Sequence, residues 1–293
     1  MFIEGFTSYL KYEKRYSSHT VAAYLNDLQQ FEDFIAPNEL KLAEASHHDV
    51  RSWIVELMDR NTNAKTVQRK LSSLRTFYKF LQRGKFIGNN PAQQVIAPKA
   101  SRRLPVFVEE ENLNSLLDSK DIFAEGFEGL RDSLVVEILF GTGIRLAELL
   151  TLKDSDVDFY QQTLKVFGKR SKERIVPLNA SLAKLHKEYI SEKSLQSFTN
   201  ISPSLIVTDA GKPAYAKLIH RIVSKYLSYA GTQQKKSPHV LRHSFATSLL
   251  NRGADLNAIK ELLGHASLAA TQVYTHNSVE RLKTIYKQAH PKA

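Results

Sequence analysis

The sequence predicts a mainly helical protein with two domains, an N-terminal bundle of four helices and a larger helical domain with a small antiparallel sheet. Its 293 residues exceed what one core of ordinary size requires. Apolar residues recur at helical spacing along most of the chain, and strand-like alternation occurs only between residues 163 and 178. Residues 98–105 combine two prolines with three basic residues and lack apolar periodicity, which is typical of a linker. The predicted domains are therefore residues 1–97 and 106–293.

Apolar stripes define the four predicted helices of residues 1–97. The first stripe begins at Phe2, Ser18 is expected to cap the second helix, and Ser46 is expected to cap the third. The fourth helix, KTVQRKLSSLRTFYKFLQR, combines a full apolar stripe with a basic face and ends at Gly84. The basic residues are Lys65, Arg69, Lys70, Arg75 and Lys79. They are expected either to contact phosphate groups or only to form a solvated charged face.

The larger domain is predicted to place several cations at turns and helix ends. A glycine-rich break at residues 141–143 puts Arg145 at the start of a helix, with Glu148 one turn later. Glu148 could orient that guanidinium or form an ordinary solvated pair. TLKVF and RIVPL alternate as two strands around a hairpin. The hairpin presents Lys169, Arg170 and Lys172. Helices are expected at residues 109–117, 131–140, 180–194 and 213–230, and the last is basic and carries Arg221.

Charge and composition indicate a polyanionic partner. Lys and Arg outnumber Asp and Glu by 41 to 30, which gives a net charge of +11 and a pI near 9.6. The absence of Cys excludes disulfides and thiolate metal sites. His239 and His243 lie four apart, but no Glu follows His239, so neither a metal site nor a cofactor is predicted. No signal peptide or transmembrane run is recognisable, so we expect a cytoplasmic protein without membrane contact.

The stretch that begins at Ser237 suits the binding of a phosphate group. Ser237 and Pro238 are expected to begin a helix, which places His239 and Arg242 on one face of its first turn. Free backbone N–H groups and the positive end of the helix dipole favour an anion there. The two side chains add further donors to the same place.

Two further residues of this stretch are predicted to lie near that helix. A second helix is expected from Asp255 to Gly264, and His265 follows the glycine directly. Ser267 is expected to open a third helix that carries Tyr274. Taken singly, each polar side chain has an ordinary structural alternative, such as a core tyrosine, a satisfied histidine or a surface ion pair.

Six positions match one known set of motifs in order: an arginine, a hairpin lysine, His-x-x-Arg, Leu-Gly-His and a later tyrosine. They are filled by Arg145, Lys169, His239, Arg242, His265 and Tyr274. The set resembles that of the tyrosine recombinases, also called the phage integrase family. The resemblance spans nearly the whole chain, and the ending SVERLKTIYKQAHPKA is most similar to the Xer (XerC/XerD-like) branch.

The resemblance implies an enzyme that cuts and rejoins DNA at specific sites without metal or ATP. Arg145 and Arg242 would bind the non-bridging phosphate oxygens, with His265 as a third donor and Glu148 in support of Arg145. The reaction would proceed through a covalent intermediate and a Holliday junction, and its implied role is the resolution of chromosome dimers at cell division.

The resemblance also assigns the covalent step to Tyr274. The tyrosine would attack phosphorus to form a 3′-phosphotyrosyl link. His239 would assist by accepting its proton, and Lys169 would act as the general acid that protonates the leaving 5′-oxygen.

In the family's fold, a SAM-like core-binding domain and a catalytic domain form a C-shaped clamp around double-stranded DNA with a specific core site. The contacts expected here are Lys65, Arg69, Lys99, Arg102, Arg103, Lys172 and Arg221. The implied assembly on DNA is a homo- or hetero-tetramer with a related recombinase, activated by a division-associated DNA translocase of the FtsK type. The location would be cytoplasmic and nucleoid-associated.

The last residues contain an apolar stripe that must be buried. It consists of Val279, Leu282, Ile285 and Ala289. The stripe could pack on its own domain, or residues 278–293 could be an exchange helix that docks on a neighbouring subunit, as the resemblance implies.

Three other functions remain open at this point. An integrase or transposase of a phage or conjugative element would use the same chemistry. A type IB topoisomerase would relax DNA without a specific core site. A non-catalytic DNA-binding regulator would be expected to lack some of the six positions.

Overall fold

The structure is a computed structural model that describes residues 2–99, 107–168, 173–199, 202–230, 236–264, 283–286 and 288–290. Internal contacts divide the chain into two compact units, Met1–Arg103 and Leu104–Ala293. The described part is mainly helical, as predicted, and its second unit contains a small antiparallel sheet. None of the described helices is long and apolar enough to cross a membrane. The limits predicted for the linker, residues 98–105, stay a prediction.

The first unit is a helical bundle around one long helix. Its helices are α1 (Phe2–Ser8), α2 (Ser18–Ile35), α3 (His47–Asp59) and α4 (Ala64–Arg83). A π-helical turn, Tyr9–Glu13, continues α1. Six apolar side chains of α4 are fully buried in the core: Val67, Leu71, Leu74, Phe77, Tyr78 and Leu81. Ser46 caps α3 as predicted, but the N-cap of α2 is Ser17 and not Ser18, because the Ser17 hydroxyl accepts the backbone N–H of Thr20 at 3.3 Å.

A buried carboxylate joins α2 to α4. The Asp27 side chain is fully buried, and its oxygens accept hydrogen bonds from Lys70 Nζ at 3.0 Å and Ser73 Oγ at 2.8 Å. Arg69 donates to the same carboxylate. Lys70 was expected on a basic face, and this was wrong, because Asp27 draws its ammonium into the interior. We call Asp27, Arg69, Lys70 and Ser73 the Asp27 cluster.

The second unit packs helices around α6, which contacts α8, α9 and α10. Its helices are α5 (Glu110–Asp118), α6 (Phe127–Thr142), α7 (Leu146–Leu149), α8 (Ala180–Leu195), α9 (Ala216–Tyr229), α10 (Pro238–Asn251) and α11 (Leu256–Leu263). Its strands are β1 (Val157–Asp158), β2 (Thr163–Phe167) and β3 (Glu173–Pro177). The order β1-β2-β3 is antiparallel, and the Phe167–Glu173 pair closes the predicted hairpin on both sides of residues 169–172. Those four residues lie outside the described part.

The described end of the chain packs on its own unit. The Tyr286 hydroxyl donates to the Gly141 carbonyl oxygen at 2.8 Å, and His290 Nε2 lies 3.0 Å from the same oxygen. Of the predicted stripe, Ala289 is buried and Ile285 is only partly buried, while Tyr286 takes the central buried position. Val279 and Leu282 lie outside the described residues.

Candidate active site

Arg145 and Glu148 form a short-range pair at the start of α7. Gly143 ends α6 at φ +60°, where an added Cβ would lie 2.4 Å from a carbon of Phe245, so the turn requires glycine. The Glu148 carboxylate accepts the Arg145 backbone N–H at 2.7 Å and Arg145 Nη1 at 2.8 Å. The Arg145 side chain is 41% exposed and that of Glu148 is 5% exposed. The pair expected from the sequence spacing is therefore present, with the guanidinium partly open to solvent.

Arg242 lies in the first turns of α10, which begins at Pro238 as predicted. The side chain is buried, and it donates to the carbonyl oxygens of Gly143 and, at 2.7 Å, of Leu263. Burial, followed by the charge of Arg145, lowers the pKa of Arg242 to about 10. The guanidinium remains a cation at neutral pH.

Three hydrogen bonds hold α10 and its C-terminal end within the second unit. The Ser244 hydroxyl accepts the backbone N–H of Val108 at 2.8 Å. Ser248 donates to Glu110 at the start of α5, and Arg252 donates to the other oxygen of that carboxylate. The polar side of α10 is thus fixed within its own unit.

A third arginine, Arg174 on β3, completes the cluster. Its Nη1 and Nη2 donate to the two oxygens of Glu148 at 2.9 Å and 2.8 Å. Its Nε donates to the Leu262 carbonyl oxygen at 2.9 Å, and its side chain is 5% exposed. From the sequence, Arg174 was predicted only as part of a strand, and this contact was not predicted. We call Arg145, Arg174, Arg242 and Glu148 the arginine cluster.

The three arginines of this cluster bind successive carbonyl groups at the end of α11. Leu262 accepts from Arg174, Leu263 from Arg242, and Gly264 from Arg145 at 3.0 Å. A helix C-terminus has unsatisfied carbonyls and a partial negative charge, so cations are favoured there. Gly264 ends the helix at φ +64°, as predicted, and a Cβ at this residue would lie 3.1 Å from Arg174 Nη1.

The arginine cluster carries more positive than negative charge. Burial acts to raise the pKa of Glu148, but the hydrogen bonds and charge of Arg174 and the backbone N–H of Arg145 hold this pKa below 4.5. One ionised carboxylate therefore faces three guanidinium groups. Guanidinium groups match the geometry of phosphate oxygens, so the cluster is suited to an oxyanion that approaches the exposed side of Arg145.

The remaining predicted site residues lie in the second unit, in the first unit, or outside the described part. His239 is exposed in the first turn of α10, and Arg221 is exposed on α9 with its Nη2 3.4 Å from the Tyr215 hydroxyl. Lys65, Arg69 and Lys99 belong to the first unit. Predicted residues that lie outside the described part are Lys169, His265, Tyr274, Lys172, Arg102 and Arg103. Within the described part, no group of three or more His, Cys, Asp or Glu residues is arranged to bind a metal.

Comparisons with known proteins match both units. The model of the phage integrase family matches residues 106–281, and the model of the phage integrase N-terminal SAM-like domain matches residues 3–85. The chain is 40% identical to the tyrosine recombinase XerC of Listeria innocua serovar 6a, over 98% of this chain and 97% of that protein. It is 36% identical to the tyrosine recombinase XerC of Bacillus subtilis strain 168, over 100% of this chain and 97% of that protein.

Solved structures are similar over nearly the whole chain. The crystal structure of XerA recombinase is 28% identical, covers 98% of this chain and 97% of that chain, and has a TM-score of 0.50. XerH bound to a palindromic difH substrate in a post-cleavage complex is 24% identical, with a TM-score of 0.73, over 96% of this chain and 82% of that chain. The likeness to XerH concerns the fold.

Proposed function

Because this chain belongs to the phage integrase family and is a tyrosine-type site-specific DNA recombinase, we propose that it cuts and rejoins DNA through a 3′-phosphotyrosyl intermediate and a Holliday junction. Its proposed role is the resolution of chromosome dimers at cell division. The observation that carries the proposal is the arginine cluster, in which an excess of guanidinium groups is fixed at the end of α11. His265 follows that end by one residue in the sequence.

In the proposed mechanism, the arginine cluster meets the charge that grows on the scissile phosphate. Arg145 and Arg242 donate to the non-bridging oxygens, and His265 adds a third donor. Arg145 and Arg242 are held in place before the reaction, so they need little reorganisation as the transition state forms. Glu148 orients Arg145 through the two hydrogen bonds described above.

The covalent step exchanges one phosphate ester for another. The phenolic oxygen of Tyr274 bonds to phosphorus while the bond from phosphorus to the 5′-oxygen breaks. His239 accepts the phenolic proton, and Lys169 gives a proton to the departing oxygen. The phosphotyrosyl ester keeps the energy of the broken bond, so the 5′-hydroxyl of a second strand reverses the step without ATP.

The proposed substrate is double-stranded DNA with a specific core site. A net charge of +11 and the two recombinase relatives support DNA as the partner. We extend the proposal to a tetramer with a copy or a related recombinase, and to activation by a DNA translocase of the FtsK type. The proposed contacts with DNA are Lys65, Arg69, Lys99, Arg102, Arg103, Lys172 and Arg221.

The tetramer proposal includes release of the chain end from its own unit. Residues 283–286 and 288–290 contact α6 in cis in the single chain, and exchange would move them to a neighbouring subunit. Deleting residues 278–293 should then leave DNA binding by one subunit intact and remove cooperative assembly on a duplex with two sites. Cooperative assembly that survives the deletion in a gel-shift titration would contradict exchange.

The chemistry is tested with a nicked suicide duplex, from which the cleaved fragment diffuses away. Tyr274→Phe should bind this duplex as the wild type does and form no covalent complex on a denaturing gel. Tyr160→Phe is the matched control, because Tyr160 lies in the same unit and is 92% exposed. Covalent trapping by Tyr274→Phe, or loss of trapping in the control, would count against the assigned nucleophile.

A further inference from the structure

We propose that Arg174 is a positioning residue of the recombination reaction, which balances the charge of Glu148 so that this carboxylate orients Arg145 without cancelling its positive charge. The inference rests on the proposed function, because it assigns Arg145 to the scissile phosphate. It adds a residue from β3 to a site otherwise composed of helix ends and the predicted hairpin lysine.

The geometry of Glu148 shows that it is shared between two cations. Each of its oxygens accepts two hydrogen bonds, one from the fork of Arg174 and one from Arg145. A bidentate arginine–carboxylate contact is strong and fixes both groups in one plane. Glu148 is therefore held by Arg174 and, from that fixed position, holds Arg145.

Besides holding the Glu148 side chain, Arg174 raises the net positive charge of the arginine cluster. Without Arg174, Glu148 and Arg145 would form a neutral pair, and the positive excess of the arginine cluster would fall from two charges to one. With Arg174 present, the cluster keeps an excess of two positive charges. An anionic transition state that forms at the exposed side of Arg145 is stabilised by that excess.

Arg174 also holds the helix end that leads into His265. Its Nε donates to the Leu262 carbonyl oxygen, and Gly264 has no side chain to push the guanidinium away. Because the Arg174 side chain is 5% exposed and its fork is occupied by Glu148, it is placed to act through its neighbours and not on the phosphate itself.

The first test compares Arg174→Lys and Arg174→Met in single-turnover cleavage of the suicide duplex at saturating DNA. Lysine keeps the charge and loses the fork, so we expect a cleavage rate about 10-fold lower. Methionine loses both, and we expect a rate about 100-fold lower, since small displacements of catalytic groups cost this much. The dissociation constant for the duplex should change by less than about threefold in both variants, because phosphate contacts along the whole site dominate affinity.

Arg131 provides a matched control for the loss of a buried arginine. It lies in the same unit, its side chain is 4% exposed, and it pairs with Asp132 and Asp209. It is about 16 Å along α6 from the end of that helix, at 1.5 Å per residue. Arg131→Lys should lower the melting temperature as Arg174→Lys does and leave the cleavage rate of the folded protein unchanged.

The second test is a rescue by charge. Replacing Glu148 with Gln in the Arg174→Met background restores the charge balance, so Arg174→Met/Glu148→Gln should cleave at least about 10-fold faster than Arg174→Met. A purely structural role predicts the opposite, because the second substitution removes further hydrogen bonds. If Arg174→Met does not fold, the cleavage rate of Arg174→Lys alone tests the role of Arg174.

The outcomes separate this inference from the proposed function. Wild-type protein that forms no covalent complex would overturn both. Wild-type cleavage together with an Arg174→Lys rate within twofold of the wild type, or a double variant no faster than Arg174→Met, would overturn only the role of Arg174.

Discussion

Asp27 in the first unit and Glu148 in the second are both buried carboxylates that accept hydrogen bonds from two cationic side chains. At Asp27, both cations and the hydroxyl donor come from α4. At Glu148, the donors come from the start of α7 and from β3. The same chemistry thus links two helices in one unit and draws distant elements together in the other.

The two clusters can also be compared by the burial and the net charge of their cationic side chains. Lys70 is buried beside Asp27 and lies 5.7 Å from the centre of the Trp53 ring, inside the helical bundle. The Arg145 side chain is 41% exposed, and the Gly264 carbonyl oxygen at the end of α11 accepts one of its hydrogen bonds without neutralising its charge. Each carboxylate thus has one internal cation and one outward-facing cation, since the Arg69 side chain is 42% exposed. The clusters differ in net charge, because Asp27 faces two cations and Glu148 lies in a cluster of three arginines.

The largest effect that separates the two clusters is expected from Arg242→Gln. The substitution removes a fixed donor to the phosphate, so the single-turnover cleavage rate should fall by about 10²–10³-fold, with little change in DNA affinity. Lys70→Gln removes a buried cation of the Asp27 cluster and should leave the cleavage rate of the folded protein unchanged. Equal losses of cleavage rate in the two variants would contradict a catalytic role for the arginine cluster that the Asp27 cluster lacks.

Asp27→Ala should have the next largest effect, on stability alone. It leaves Lys70 buried without its counter-ion, so the unfolding free energy of the first unit should fall by about 3–5 kcal/mol. Trp53 is the only tryptophan of the chain and is buried in this unit, so its fluorescence during urea unfolding reports the change. Asp33→Ala, an exposed position on the same helix, is the control and should shift the midpoint little.

A smaller effect on stability is expected when Glu148 is protonated at acidic pH. Its pKa is lower in the folded protein than 4.5, so its ionised form stabilises the fold above that pH. This contribution is lost as the pH falls through the folded-state pKa. Melting temperatures followed by circular dichroism between pH 6 and pH 3 should therefore fall less steeply for Glu148→Gln than for the wild type. Parallel curves would show that Glu148 is not held in its ionised form by the arginines.

The smallest expected effect concerns binding by the first unit. Lys65 and Lys99 are exposed, and neutralising either to Gln should lower the slope of log K against log salt concentration by about one. Arg69 already donates to Asp27, so Arg69→Gln should lower this slope by less. Identical slopes for Arg69→Gln and Lys65→Gln would show that the buried carboxylate does not compete with phosphate.

Helices were predictable from the sequence because apolar periodicity and capping residues are local signals. Ser46, Asp255 and Gly264 mark helix ends in the structure as they do in the sequence. The π-helical turn after α1 and the two residues of β1 carry no comparable pattern. Their conformation depends on packing and on pairing with neighbouring elements.

The candidate site was only partly predictable from the sequence, because one of its contacts lies within a single turn and another joins residues that are distant in the chain. Arg145 and Glu148 are three residues apart in one turn, so their contact follows from helix geometry. Arg174 lies on a strand in which Ile175 and Val176 point to opposite faces, so alternation does not show which face is the core. Its buried position is set by Glu148, which is distant in sequence.

The hydrogen bonds described between the arginine cluster and the end of α11 go to main-chain carbonyl oxygens. Oxygen atoms of Leu262, Leu263 and Gly264 exist whatever residues occupy those positions, so substitutions in α11 that preserve its core packing and terminal glycine leave the contacts available. The length of α11, in contrast, determines where these carbonyl groups lie. Removing one residue would rotate the carbonyls by about 100° and move them by about 1.5 Å. Across related sequences, this segment should therefore vary in composition and remain constant in residue count.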